Sequence, residues 1–385
     1  MAGTLQRLSR SLRTGCAVAL LTVTTFAAAQ QMRGDHPETY VVVRGDTLWD
    51  IAGRFLDRPW LWPEIWQANP QIANPHLIYP GDVISLAYLN RVTMAPGPRP
   101  LEASPINAIP LSDVEPFLKN RRVVFEFENL PYVLGLEDGR LRGSVGRNVY
   151  VKGLDAARPG ERYAVLRPAT EFYGARGSRD LDFRGKRIPG ESNLWSQTQP
   201  KSRQQDAFLG YEMVQMGVGT VLHGPTAQSD TTTLVLDNDG FEARVGDRLV
   251  PANPQPYDLQ FFPHAPSAEA LAANARIIGV ADMLVTGGPR DVIAISAGYQ
   301  NGVDNGTVFS IWHDGSYVID RVKHPNTSQI TSSPNPGVNR DRLPDEYAAH
   351  AMVFLTFNFV SYALVMEGEK PVQVGYTVKH PDAEQ

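Results

Sequence analysis

Apolar residues recur along this chain with two different periods. Between residues 38 and 88 the pattern changes from strand to helix and back. Tyr40–Val43 reads as a short β-branched strand, and Gly45–Asp46 as a turn. Leu48, Ile51, Ala52 and Phe55 then recur at i, i+3, i+4 and i+7, the spacing of one buried helical face, with Thr47 placed to cap it. Pro59 ends that helix, and a second is expected from Trp62 or Pro63 to about Ala68. Asn69–Pro70 and Asn74–Pro75 break the chain. Tyr79–Asp82 forms a turn, and Val83–Leu86 a closing strand. The pattern predicts strand–helix–helix–strand.

Residues 89–120 show no apolar period but contain Pro96, Pro98, Pro100, Pro105, Pro110 and Pro116, which suits an extended, semi-rigid linker. From Arg121 the period becomes two. Strand candidates are Val123–Phe127, Asn148–Val151, Tyr163–Leu166, Thr231–Leu236, Val292–Ser296, Val308–Trp312, Met352–Phe359 and Val372–Val378. Gly160, Gly246 and Gly306 each precede a short apolar strand, which suggests repeated small β-modules at irregular spacing. The expected fold class is therefore α+β: a small βααβ module, then a β-rich region over 121–380. Two polar stretches, 170–207 and 324–345, read as mobile surface insertions open to docking.

Composition narrows the function. At 42% hydrophobic and 20% charged, the 385 residues can bury a real core, and a net charge of −5 argues against nucleic acid as the main partner. Residues 1–29 have the layout of a cleavable export signal. Arg7, Arg10 and Arg13 precede the apolar run Cys16–Phe26, and Ala27–Ala29 supply the small residues before a cut at Gln30. Cleavage would remove the chain's one cysteine and leave no segment of membrane-spanning length. Cys16 opens the apolar run, whereas a lipidation cysteine would follow it.

The run Tyr40-x-Val-x-x-Gly-Asp-Thr-Leu-Trp-x-Ile-Ala, followed by Asn-Pro and Leu77-Ile-Tyr-Pro-Gly-Asp82, resembles a lysin-motif (LysM) domain over residues 38–88. The resemblance implies binding of N-acetylglucosamine-containing glycans, chiefly peptidoglycan, in a shallow groove. On this sequence the groove residues would be Gly45, Asp46, Thr47 and Leu48, facing Asn74, Leu77, Ile78 and Tyr79. Glycine would let the backbone approach an acetamido group, and Leu and Ile would meet its methyl. Four of the six tryptophans lie nearby. Trp49 and Trp66 are expected in the core, while Trp60 and Trp62, in the insertion Asp57–Pro63, are candidates for an outward surface.

Chemistry that acts on the wall leaves no trace in the residue pattern. A mature chain without cysteine excludes a Cys–His peptidase. The eight histidines are scattered, none closer than His313 and His324, and no H-E-x-x-H, G-x-S-x-G or S-x-x-K motif occurs. No catalytic residue, metal or cofactor is expected. Taken whole, the signal segment, the LysM with its Trp-Leu-Trp-Pro-Glu-Ile-Trp insertion, and the tail Leu343-Pro-Asp-Glu … Met352-Val-Phe-Leu-Thr-Phe … Val360-Ser-Tyr-Ala-Leu-Val resemble the type IV pilus secretin-associated protein family. That resemblance implies a periplasmic, non-enzymatic protein tying an outer-membrane secretin multimer to peptidoglycan. The alternatives are a wall hydrolase with a divergent catalytic region and a LysM adaptor for another envelope complex.

Overall fold

The computed structural model describes residues 37–56, 58–72, 78–86, 111–174, 177–182, 185–186, 195, 207–226, 229–237, 242–252, 262–281, 286–324, 332–333 and 335–383. The expected export segment and positions 89–110 of the expected linker lie outside them. The chain is mostly β with few helices, and it divides into two compact units, Met1–Ile109 and Pro110–Gln385.

In the first unit, β1 (Thr39–Val41) pairs antiparallel with β2 (Val83–Ser85), Tyr40 opposite Ile84. Between them come α1 (Leu48–Phe55), a single 3-10 turn at Pro59–Leu61, and α2 (Trp62–Gln67). Helix α1 begins where Thr47 and Asp50 form a reciprocal capping box. Its apolar face, Leu48, Ile51 and Ala52, is fully buried, and Phe55 packs edge-on against Tyr40 at 5.4 Å. Trp49 is buried as expected. Trp60 and Trp62 are buried too, so the surface role expected of them does not hold. A module of about 50 residues has little else from which to build a core, and the 3-10 turn rotates both indoles inward. Trp66 is half-buried and donates from Nε1 to the Ile72 carbonyl at 2.6 Å.

The second unit opens with α3 (Leu111–Asn120), in place of the last ten residues of the expected linker. Pro116 argued against a helix there, but Val114, Phe117 and Leu118, spaced i, i+3, i+4, are buried and secure it. The next strands are β3 (Arg121–Val124), β4 (Tyr132–Leu136), β5 (Asn148–Lys152), β6 (Arg162–Tyr173), β7 (Gly177–Asp180), β8 (Phe208–His223), β9 (Thr232–Leu236) and β10 (Arg248–Pro251). Six of them close a ring. Pairing runs β8–β9–β5–β4–β10–β6 and returns to β8, antiparallel throughout. Val133, Val149, Val151, Val165, Leu234 and Leu249 fill it. Closure leaves no ring strand with an open edge. The far ends of β6 and β8 run on as a ribbon, with β3 added to β8 and β7 to β6.

A second ring follows. After α4 (Ala268–Ala272) come β11 (Ile277–Val280), β12 (Thr286–Gly287), β13 (Val292–Ile295), β14 (Val308–His313), β15 (Tyr317–Ile319), β16 (Ser332–Ser333), β17 (Arg340–Arg342), β18 (Glu346–Thr356), β19 (Ser361–Gly368), β20 (Val372–Gln373) and β21 (Thr377–Lys379). The sheet runs β11–β13–β19–β18–β14–β21. It closes through Ile277 N–H to the Tyr376 carbonyl (2.9 Å) and Val378 N–H to the Ala275 carbonyl (3.1 Å). The stretch 324–345 is not wholly an irregular insertion, because β16 and β17 flank β15 in a small sheet.

The seam between the rings contains a buried carboxylate. Glu212, on the ribbon part of β8, accepts from Tyr362 of β19 (2.7 Å) and from Trp195 Nε1 (2.9 Å), and pairs with Arg121 at 3.0 Å. Trp195 is 1% exposed and packs on Phe117, Phe172 and Tyr362. The stretch 170–207 was expected at the surface as an insertion. Instead β6 extends to Tyr173, β7 pairs with it, and Trp195 inserts into the seam. Burial, and then Glu212, push the Tyr362 phenol well above its usual value, against the pull of Arg121. The folded chain thus holds this proton more tightly than the unfolded one. The resulting stability is whole below the ordinary phenol value near 10 and is lost as pH rises above it. Urea unfolding should therefore show stability falling above about pH 10 by up to ~1.4 kcal/mol per pH unit from this group. Tyr362→Phe should remove that share of the slope; an unchanged slope would contradict it.

Candidate functional site

The groove residues expected from sequence lie on two turns of the first unit. The backbone holds these turns side by side: Val42 N–H donates to the Asp82 carbonyl and Gly81 N–H to the Val42 carbonyl, both at 2.9 Å. Gly45 is exposed at φ +99°, a conformation that favours glycine, and a Cβ there would meet nothing within 4 Å.

The neighbouring side chains turn inward. Asp46 is 5% exposed and accepts from the Tyr40 hydroxyl (2.7 Å), from Val43 N–H (2.9 Å) and from Arg54 (2.9 Å). Arg54 also donates to the Tyr40 hydroxyl and lies over its ring. Burial, and then the bond to Asp46, raise the Tyr40 phenol. This triad pins the turn to the start of β1 and to α1. Thr47 spends its hydroxyl on Asp50, accepting from its N–H at 3.0 Å and donating to its carboxylate at 2.7 Å. Leu48 is fully buried and Ile78 is 1% exposed, so both belong to the core. Tyr79 is half-buried at the head of the second turn, where its N–H donates to Asp82 Oδ2 at 3.0 Å. Asn74 and Leu77 lie outside the described residues. Of the six described positions, Gly45 and Tyr79 keep the most exposed surface, on adjoining turns.

Sequence reasoning missed the residue that joins the helices to the sheet. Asn69 is fully buried; its amide donates to the Ile65 and Ser85 carbonyls (2.7 and 2.8 Å) and accepts from Ser85 N–H at 2.7 Å. The pair Asn69–Pro70 signalled only a chain break.

Residues 40–87 match the family model for the LysM domain. The first unit carries a LysM domain. Such domains bind peptidoglycan, and the module is a binding one without catalysis of its own. A curated relative, the uncharacterized protein YqbP of Bacillus subtilis (strain 168), is 38% identical over 60 residues, covering 13% of this chain and 27% of that protein. The chain thus spans about a quarter of the length of the curated relative it matches. Among the described residues, no three His, Cys, Asp or Glu side chains gather so as to hold a metal. No described helix is long and apolar enough to cross a membrane.

Proposed function

We propose that this protein is an exported, non-enzymatic anchor of the periplasm. Its LysM domain holds peptidoglycan, and its second unit holds an outer-membrane secretin multimer of the type IV pilus. The observation that carries this reading is a LysM domain over residues 40–87 joined to a larger, separate β unit. In that unit two buried carboxylates are spent on structure: Glu212 bonds across the seam, and Asp247 meets an Arg167 fork at 2.8 Å. The two rings are read as repeated small β-modules, supported by the glycine turns with φ of 89°, 95° and 99° before β6, β10 and β14. A single LysM groove binds weakly, whereas copies arrayed around a multimeric pore act at high effective concentration.

The mature chain should co-sediment with purified sacculi, capture the secretin from solubilised envelopes, and release no soluble muropeptides. Muropeptide release abolished by a single carboxylate or histidine substitution would overturn this reading in favour of a hydrolase. Capture of a different envelope complex would overturn the choice of partner. Within the groove, Tyr79→Ala removes the ring of a half-buried residue but keeps the backbone bond to Asp82. It should weaken sacculus binding by about tenfold beyond any loss of folded module read from the melting curve, as expected for losing ~1.4 kcal/mol of aromatic contact. Undiminished binding would place the groove elsewhere.

A further inference from the structure

The outer wall of the first ring contains a recess of about 520 Å³. Val149 and Val151 point inward on β5, so Tyr150 between them points out; Thr231 and Thr233 likewise alternate with buried Thr232 and Leu234. Gly135, Tyr150, Thr233 and His223 lie directly opposite one another across β4, β5, β9 and β8. Two bulges create this row. The register slips at Leu134 in β4 and at Leu222 in β8, leaving both leucines exposed and bending the flanking strands. Bulges of this kind re-aim side chains beside binding sites. Gly135 supplies no side chain over the Tyr150 ring, where an added Cβ would sit 3.9 Å from the ring edge. Thr226 and Ser229, both in the lining, bond reciprocally through their backbones (2.8 and 3.2 Å).

We infer that this recess is a second saccharide-binding site, in the β unit and separate from the LysM groove. Its volume is that of a small-ligand pocket. Four hydroxyl side chains, of which Ser229 and Thr231 bond each other at 2.6 Å, and an imidazole offer the mixed donors and acceptors that a polyol needs, and a tyrosine ring offers an apolar face for a pyranose. Among the described residues no lysine or arginine lines it, which argues against phosphates, and Lys152 and Asp230 beside it neutralise each other at 3.0 Å. Apart from the ring, Leu134 is the one large apolar side chain among the described lining residues, too little for an acyl chain. The ligand class is a neutral oligosaccharide. Two sites on one chain would let a single protein grip a glycan strand at two points, adding avidity within the molecule.

The test is hydrogen exchange on the full mature chain with the N-acetylglucosamine tetramer, and in a second arm with maltotetraose. Exchange in peptides covering 132–152 and 222–236 should slow, by about tenfold at a ligand concentration ten times Kd. Gly135→Leu covers the ring from an open position, and Tyr150→Ala removes it. Either should abolish that protection while leaving the response of residues 40–87 intact. Protection by the tetramer alone would assign the site to acetamido sugars such as the wall glycan; protection by both would assign it to pyranoses in general. If neither sugar protects those peptides, or if both variants keep the protection, the recess is no saccharide site. The LysM response would be untouched by that failure.

Discussion

Glu212→Ala is expected to destabilise the second unit by about 3–5 kcal/mol, the cost of breaking a buried charge network by removing one member. The side chain is fully buried, and its two oxygens serve three donors from distant parts of the sequence: Arg121, Trp195 and Tyr362. Alanine leaves a guanidinium, an indole N–H and a phenol in the seam, each deprived of an acceptor and desolvated. It also opens a void beneath the Phe117–Trp195–Tyr362 ring cluster. Glu212→Gln keeps the volume and one acceptor, so its loss should be smaller. A shift in urea midpoint, with Trp195 emission moving to the red, would report the loss. A cost below about 1 kcal/mol would show that the seam contributes little and that each ring stands alone.

Local pattern carried the helices and turns of the first unit well, because their caps, faces and bends are set by neighbours a few residues away. The cap Thr47, the buried positions Leu48, Ile51 and Ala52 of the helical face, half-buried Phe55, and the turn before Val83 sit where the spacing placed them, while the reciprocal bond from Asp50 is added by the structure. Local pattern did not say which way the indoles at 60 and 62 would turn, since that depends on how little core the module otherwise has. In the second unit periodicity marks strands but not partners. The closure of β6 on β8, and of 275–277 on 376–378, joins segments about 50 and 100 residues apart. Strand β8 escaped notice because three register slips and glycines at 210, 217 and 219 break its alternation. The Glu212–Tyr362 bond spans 150 residues, and nothing near Trp195 marked it as interior. At the expected groove the two turns lie side by side, and Asp46, Thr47, Leu48 and Ile78 are buried there, because a capping hydroxyl, a turn carboxylate and two core aliphatics are demanded by the fold itself.

Asn69→Ala is expected to unfold much of the LysM domain within an otherwise folded chain. Ile65 lies in the last turn of α2, where helical carbonyls run out of N–H partners, and the Asn69 N–H bonds instead to the Trp66 carbonyl. The Asn69 amide fills that gap and also ties both backbone groups of Ser85, so one side chain joins the end of α2 to β2. Removing it orphans an N–H and two carbonyls in the interior, at about 1–3 kcal/mol for each buried unsatisfied group. A module this small has only a few kcal/mol to lose. Asn69→Asp discriminates the mechanism: it could still accept from Ser85 N–H, but it would turn a carboxylate oxygen toward the two carbonyls, so it should be at least as damaging as alanine. Gln71, which donates to Asn69 Oδ1 and to the Val83 carbonyl from an exposed position, should cost less than about 1 kcal/mol when replaced by alanine. Hydrogen exchange of peptides from 40–87, read beside those of the second unit, separates local from global loss. Sacculus binding should fall with the population of the folded module. If Asn69→Asp proves milder than Asn69→Ala, the two carbonyl bonds contribute nothing, and the Ser85 N–H bond alone joins the elements.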